Sequence, residues 1–412
     1  MRKRLWFCPL FASALLAVSA SAQERGGQEL FGHYEPVLDW PKPLPDGPDG
    51  VKHDGWTWGS VGSVYAESPD RIWIAMRGEL PLPAGAAPWT PYSLLDPRRT
   101  ATGNDDGKNA TCGPAERRGW ERRYHHVLFV VDGEGNQVQH WAQHDKLFEM
   151  PCGRGPHKIK MSPYDPDKHV WVIDDQLHMI YKFTYDGSKI VLSLGTKGKR
   201  GRDKGSLFDR PTDIAWLPDG TFFIRDGYGG TRVAKFDKNG NFLKDWGGPP
   251  KDPKNPGPNE FNTVHSIAVS NDRRVFVVDR AHGRFQIFDE EGKFLDMFPT
   301  GPQGLTRDYA LGEVVSRPYA HLITADQTLW VSDGGTNRIL KYDLNGRYQY
   351  GWGQPGPYPG QFGGPHAMTV DQDGNLYIAE VFSGRVQKFR PKRGADSSKI
   401  VGQELRYKAP TN

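Results

Sequence analysis

The sequence has 412 residues, with 53 Lys and Arg against 49 Asp and Glu, a formal net charge of +4. That balance is too weak to argue for a nucleic-acid partner, and no stretch is continuously apolar for long enough to span a membrane. With 49 Gly, 33 Pro, frequent aromatics and no long helical periodicity, the composition predicts many short strands and turns in one large domain.

Met1-Arg2-Lys3-Arg4 is a basic start, Leu5 to Val18 is mostly apolar, and Ala20-Ser21-Ala22 has the small residues of a cleavage site. Residues 1–22 therefore read as a secretory signal peptide, and the mature protein is expected to be exported, either periplasmic or secreted. In that setting Cys112 and Cys152 are expected to form one disulfide, with free thiols or thiolate metal ligands as the alternative. Residues 23–55, rich in Pro and Gly, read as an extended arm on the domain surface.

From Trp56 to about residue 392 a repeat emerges: an apolar strand, an acidic residue, a short turn, an Arg or similar residue, and a second strand ending in an aromatic. It is plain in Val170 to Phe183, Thr221 to Phe236, Val275 to Phe288, Leu329 to Tyr342 and Leu376 to Phe389. The acidic landmarks Asp174, Asp226, Asp279, Asp333 and Glu380 recur about every 50 residues, and a third strand follows most copies after an Asp-x-x-Gly turn. Each copy has room for four antiparallel strands, the blade of a β-propeller. A first, less regular blade takes two strands from Val61 to Ala75 and two from Val127 to Trp141, split by an insertion over residues 80–124. The expectation is an all-β, six-bladed β-propeller with a charged tail over 393–412. A solenoid is the alternative, but a closed ring needs no capping repeats and none is visible.

The segments that open the inner strand of each blade can be aligned: Pro156-His157-Lys158, Pro211-Thr212-Asp213, Val264-His265-Ser266, Pro318-Tyr319-Ala320 and Pro365-His366-Ala367. Histidine fills the same position in blades two, four and six, while Thr and Tyr fill it in blades three and five. Alternate blades of a six-bladed ring are about 120° apart. His157, His265 and His366 are therefore expected to converge on the central channel and hold one divalent ion, with an open position for water or a substrate oxygen. Taken singly, each histidine could instead make a structural hydrogen bond at a strand start. The turn Asp226-Gly227-Tyr228-Gly229-Gly230 offers a phenol between glycines, and a tyrosine beside a metal and an arginine can act as a base. Packing against a neighbouring blade is its alternative role. Arg280 follows Asp279 where most other blades have Gly or an uncharged residue, and Arg77 ends a strand of blade one. Either suits a substrate carboxylate or a surface ion pair.

The turns Asn337-Arg338, Gly283-Arg284 and Gly384-Arg385 resemble those of NHL repeats. Beyond that, Gly59 to Phe389 resembles the catalytic domain of the peptidyl-α-hydroxyglycine α-amidating lyases. The residues that carry the resemblance lie in His157 to Phe183, in Phe208 to Trp246 with Tyr228 and Arg232, in Phe261 to Phe288 with His265 and Arg280, and in Pro365 to Ile378. The resemblance implies that His157, His265 and His366 bind Zn²⁺, that Tyr228 is the base, that Arg77 lowers the pKa of that tyrosine, and that Arg280 is a second active-site arginine. It implies cleavage of an N-acyl α-hydroxyglycine, a small molecule or peptide bearing a carboxylate, to an amide and glyoxylate. Ala367 stands where the family places an Asp ligand for Ca²⁺, which counts against calcium. Gly364 replaces a methionine, Gly229 and Val277 replace cysteines, and the 80–124 insertion is different. A metal-dependent hydrolase or lactonase, a non-catalytic NHL module binding a protein partner, and a purely structural metal remain as alternatives.

Overall fold

The computed structural model describes residues 32–47, 50–81, 123–149, 155–301 and 316–405. The expected signal peptide, Cys112, Cys152 and most of the 80–124 insertion lie outside the described residues.

Six four-stranded antiparallel sheets form the blades. From inner to outer strand, blade one is Val61–Ser68, Arg71–Met76, Leu128–Val131 and Gln137–His140. Blade two is Lys158–Met161, Val170–Asp174, Met179–Phe183 and Ile190–Leu194, and blade three is Pro211–Trp216, Phe222–Asp226, Arg232–Phe236 and Phe242–Trp246. Blade four is Val264–Val269, Val275–Asp279, Arg284–Phe288 and Phe294–Pro299, and blade five is Pro318–Ile323, Leu329–Asp333, Arg338–Tyr342 and Tyr348–Trp352. Blade six takes Pro365–Val370, Leu376–Glu380 and Arg385–Pro391 from one end of the chain, and its outer strand, Tyr34–Pro36, from the other. Tyr34 pairs with Pro391 and Pro36 with Phe389. The inner strands touch in sequence, and that of blade six touches that of blade one, so the ring is closed.

The strand sequences follow from this stacking. Val275–Asp279 is buried at every residue because both faces of its sheet are covered by neighbouring blades. Phe294–Pro299, on the rim, alternates poorly and is largely exposed. The apolar core lies between blades: Trp171, Ile173 and Ile180 of blade two pack on Ile214, Phe222 and Ile224 of blade three. Each such fully buried side chain stabilises the fold by roughly 1.5–3 kcal/mol.

The acidic landmarks are fully buried, and those of blades three to six tie the lead-in of the inner strand to its own blade. Asp226, Asp279 and Glu380 pair with Arg232, Arg284 and Arg385 across the second turn, at 2.9, 2.9 and 3.0 Å. Their free oxygens reach back to the chain that leads into the inner strand, accepting from the N–H of Asp209 at 2.6 Å, Asn262 at 3.0 Å and Gly363 at 2.6 Å. Asp333 accepts from Arg317 N–H at 2.7 Å in the same way. Just beyond each of these clamps comes the residue that faces the central channel: Thr212, His265, His366 and Tyr319. The repeat thus sets the height of the site residues.

After blade six, Ser397–Lys399 forms a short 3₁₀ turn and the chain packs back on the propeller as far as Glu404. Val401 is buried and donates its N–H to the Tyr34 hydroxyl at 2.9 Å, and Glu404 accepts from Thr369 Oγ1 at 2.8 Å.

Candidate metal centre

His157, His265 and His366 meet on the axis, with ring centroids 4.6 to 4.8 Å apart, and all three are buried. Each ring is held by its Nδ1. His157 Nδ1 bonds the Thr212 carbonyl at 2.8 Å, His366 Nδ1 bonds the Gly62 carbonyl at 2.7 Å, and His265 Nδ1 bonds the Tyr319 carbonyl. Thr212, Tyr319 and Gly62 belong to blades three, five and one, so each non-histidine blade supplies the anchor for the histidine of the blade before it. A carbonyl can only accept, so each Nδ1 carries the proton and each Nε2 presents a lone pair to the centre.

This arrangement fits a metal ion. His366 Nε2 is buried with no hydrogen-bond partner, an unusual state for a ring nitrogen and the normal one for a ligand atom awaiting its ion. Burial, followed by the charge of Arg280 for His265 and of Arg77 for His366, holds both imidazoles well below the usual histidine range and hence neutral. The three rings lie within ligand distance of one another.

Tyr228 stands over the centre. Its hydroxyl is 3.2 Å from His157 Nε2 and 3.1 Å from His265 Nε2. The glycines around it are required: a Cβ on Gly227 would strike the Val264 carbonyl, and one on Gly230 would strike the Asp226 carboxylate. Arg280 Nη1 donates to the Tyr228 hydroxyl at 3.4 Å, and its guanidinium lies 5.2 Å from the Tyr228 ring and 4.9 Å from the Tyr319 ring. Arg280 is half-buried and has no ion pair among the described residues. Arg77 is fully buried against the backbone of Gly62, where a Cβ would lie 3.1 Å from its Nε.

The next residues along the same inner strands are Lys158, Asp213, Ser266 and Ala367. Lys160 Nζ, Ser266 Oγ and Ile267 N–H reach the Asp213 carboxylate at 3.0, 2.9 and 3.1 Å. Burial pushes this carboxyl up, but Lys158 and Lys160 outweigh it and hold the group well below the carboxylate range. Ala367 lies in an apolar cluster with Val61 and Tyr377, so that position offers no carboxylate to calcium.

Other site residues have weaker sequence signals. Tyr319 was visible in the histidine register, but its contact with Arg280 was not. Arg210 and Asp175 carry no motif of their own in the sequence, although the doubled Asp174-Asp175 is a departure from the single acid of the other blades. His53, Glu79 and His126 form a second group of metal-ligand type. Both rings there direct Nδ1 at the same Glu79 oxygen, at 2.7 and 3.1 Å, and Arg123 takes the other oxygen. An ion would displace the protons that make these bonds and leave the buried Nε2 of His126 as an N–H without an acceptor. We read this group as a hydrogen-bonded clamp at the base of the insertion. A third, Asp165, Asp167 and His169, lies in a surface turn.

No family model matches the chain. It is 28% identical over 300 residues to peptidyl-glycine alpha-amidating monooxygenase A of Xenopus laevis, covering 68% of this chain and 28% of that protein. It is 28% identical over 276 residues to peptidyl-alpha-hydroxyglycine alpha-amidating lyase 1 of Drosophila melanogaster, covering 64% and 48%. It is 30% identical over 252 residues to NHL repeat-containing protein 3 of Mus musculus, covering 57% and 67%. The chain thus spans less than half the length of these two amidating relatives. Fold, repeat and relatives agree: the chain belongs to the family of NHL-repeat β-propellers that includes the peptidyl-α-hydroxyglycine α-amidating lyases.

Proposed function

We propose that the protein is a zinc-dependent lyase that cleaves the C–N bond of an N-acyl α-hydroxyglycine, releasing an amide and glyoxylate. The observation that carries this reading is the Tyr228 hydroxyl within hydrogen-bond reach of two of three converging, proton-free Nε2 atoms. Three neutral imidazoles and an open side suit Zn²⁺, which when bound supplies Lewis acidity toward a substrate hydroxyl. Tyr228, as the phenolate, takes the hydroxyl proton. The C–O bond becomes a carbonyl, the C–N bond breaks with its electron pair passing to nitrogen, and the proton is returned from Tyr228 to the leaving amide, so no co-reactant is consumed. Arg280 sits where it can stabilise the phenolate and bind the substrate carboxylate through its planar fork. The relative named as an amidating lyase supports the reaction class.

The deciding experiment is incubation with α-hydroxyhippurate and measurement of glyoxylate. Tyr228→Phe should lower turnover by about 10²- to 10⁴-fold with metal content unchanged. The Ala variants at His157, His265 and His366 should each lose metal. Full metal occupancy without glyoxylate release would sink the lyase reading and favour hydrolysis of another small molecule at the same centre.

We also propose that residues 1–22 are an export leader. N-terminal sequencing of the mature protein checks this, and an intact Met1 start refutes it. No helix among the described residues is long and apolar enough to cross a membrane.

A further inference from the structure

We infer that Arg210, anchored by Asp175, is a positioning residue that fixes the ring of Tyr228 over the three histidines. Its kinetic consequence rests on the lyase reading above; its structural consequence does not. Four side chains alternate across the mouth of the centre. The Arg210 guanidinium lies 4.1 Å from the Tyr228 ring centroid, Arg280 lies 5.2 Å from the same ring, and Tyr319 follows 4.9 Å from Arg280. Tyr228 is thus in contact with two guanidiniums, each attracted to the negative face of its π-system.

The two guanidiniums are not equivalent. Arg280 is half-buried and has no ion pair among the described residues, so it can turn toward a substrate. Arg210 is fixed. Its Nε and Nη2 both donate to Asp175 Oδ2, at 3.1 and 2.6 Å, and both residues are buried. Its N–H donates to His178 Nδ1 at 3.1 Å. Its carbonyl accepts from the N–H of Gly227 at 3.1 Å and of Tyr228 at 3.2 Å. Arg210 therefore grips Tyr228 twice, by the backbone and by the ring face. It does so from the left-handed region, at φ 64°, a conformation that side chains rarely adopt.

The ring needs such a grip. Tyr228 is carried on a turn of glycines, which gives it access to the centre but little stiffness of its own. A tilt that moves the hydroxyl by about 1 Å takes it out of reach of the two Nε2 atoms, a displacement that can cost about 10²-fold in rate. Asp175 supplies the stiffness at one remove. A packing pair with no bearing on Tyr228 would leave both the hydroxyl position and turnover unchanged when broken.

The test uses the full mature protein with its native metal. Arg210→Met keeps the apolar stem and removes the guanidinium, Arg210→Lys keeps the charge without the planar stack, and Asp175→Asn keeps the shape without the charge. Two quantities are read: glyoxylate release from α-hydroxyhippurate, and the Tyr228 hydroxyl position in crystal structures. We expect kcat to fall about 10- to 100-fold in both Arg210 variants and less in Asp175→Asn, with KM within about threefold and metal content unchanged. The double variant Asp175→Asn/Arg210→Met should be no slower than Arg210→Met, because the two residues act as one unit. The hydroxyl should be displaced in the crystals. An unmoved hydroxyl overturns the inference, and so does a loss carried by KM, which would make Arg210 a substrate contact. If the wild type releases no glyoxylate, the lyase reading fails and the crystal structures alone decide the role of Arg210. If Arg210→Met does not fold, Arg210→Lys and Asp175→Asn carry the same test.

Discussion

Gly62 holds His366 through a carbonyl oxygen and has no room for a side chain. A Cβ there would lie 2.5 Å from the Pro156 carbonyl and 3.1 Å from Arg77 Nε. Gly62→Ala must therefore move the backbone that orients His366, the third of the proposed ligands. We expect metal affinity to fall about 10- to 100-fold while the fold is retained, measured by competition with a chelator. Unchanged affinity would show that His366 does not depend on this anchor. At this scale the sequence was half legible. The histidines could be found because a repeat brings them into register. Their partners at Thr212, Tyr319 and Gly62 act through backbone carbonyls, which every residue has, so no residue type marked them. Arg210 was hidden for a different reason: its side chain reaches across to a neighbouring blade, and repeat alignment compares positions without showing what lies between them.

Among the elements, the acids that close blades three, four and six were readable from spacing, because one carboxylate there satisfies both an arginine and the lead-in to the inner strand. The base of the 80–124 insertion was not. Trp56–Thr57 pairs with Leu80–Pro81, and Glu79 pairs with Arg123 in an isolated antiparallel bridge, bringing together segments far apart in sequence. Burial pushes the Glu79 carboxyl up, but hydrogen bonds from His126, His53 and Arg123 prevail and hold it down to about 2. A carboxyl depressed from its unfolded value near 4.3 contributes stability that is fully present above that pH and lost as pH falls toward 2. Glu79→Gln should thus cost on the order of 2 kcal/mol in denaturant unfolding at pH 7, with the gap to wild type closing between about pH 4.5 and 2. A gap that stays constant over that window would show that the clamp contributes nothing through its charge.

For the whole molecule, the count of six blades followed from five clear repeats and one split one. The closure did not. The strand Tyr34–Pro36 has only three residues and no apolar pattern to announce it, and its partner lies near the opposite end of the chain. Tyr34 and Trp40 are nevertheless buried, one against Trp352 and the other against Tyr377. Removing residues 1–40 should leave Arg385–Pro391 as an open sheet edge and lower the melting temperature by several degrees, about 2–4 °C for each kcal/mol lost. A truncated protein that melts with the wild type would place the closure elsewhere.

The sixth blade joins the two ends of the chain, and its inner strand carries the third histidine, whose anchor lies in blade one. During synthesis the first-made strand must wait for the last-made hairpin, so the ring cannot shut on a partial chain. Two of the three histidines lie in blades made earlier, but the third is anchored only by closure. On the proposed reading, all three histidines can hold an ion only once blades six and one have met, and a chain that stops short of blade six has no finished site.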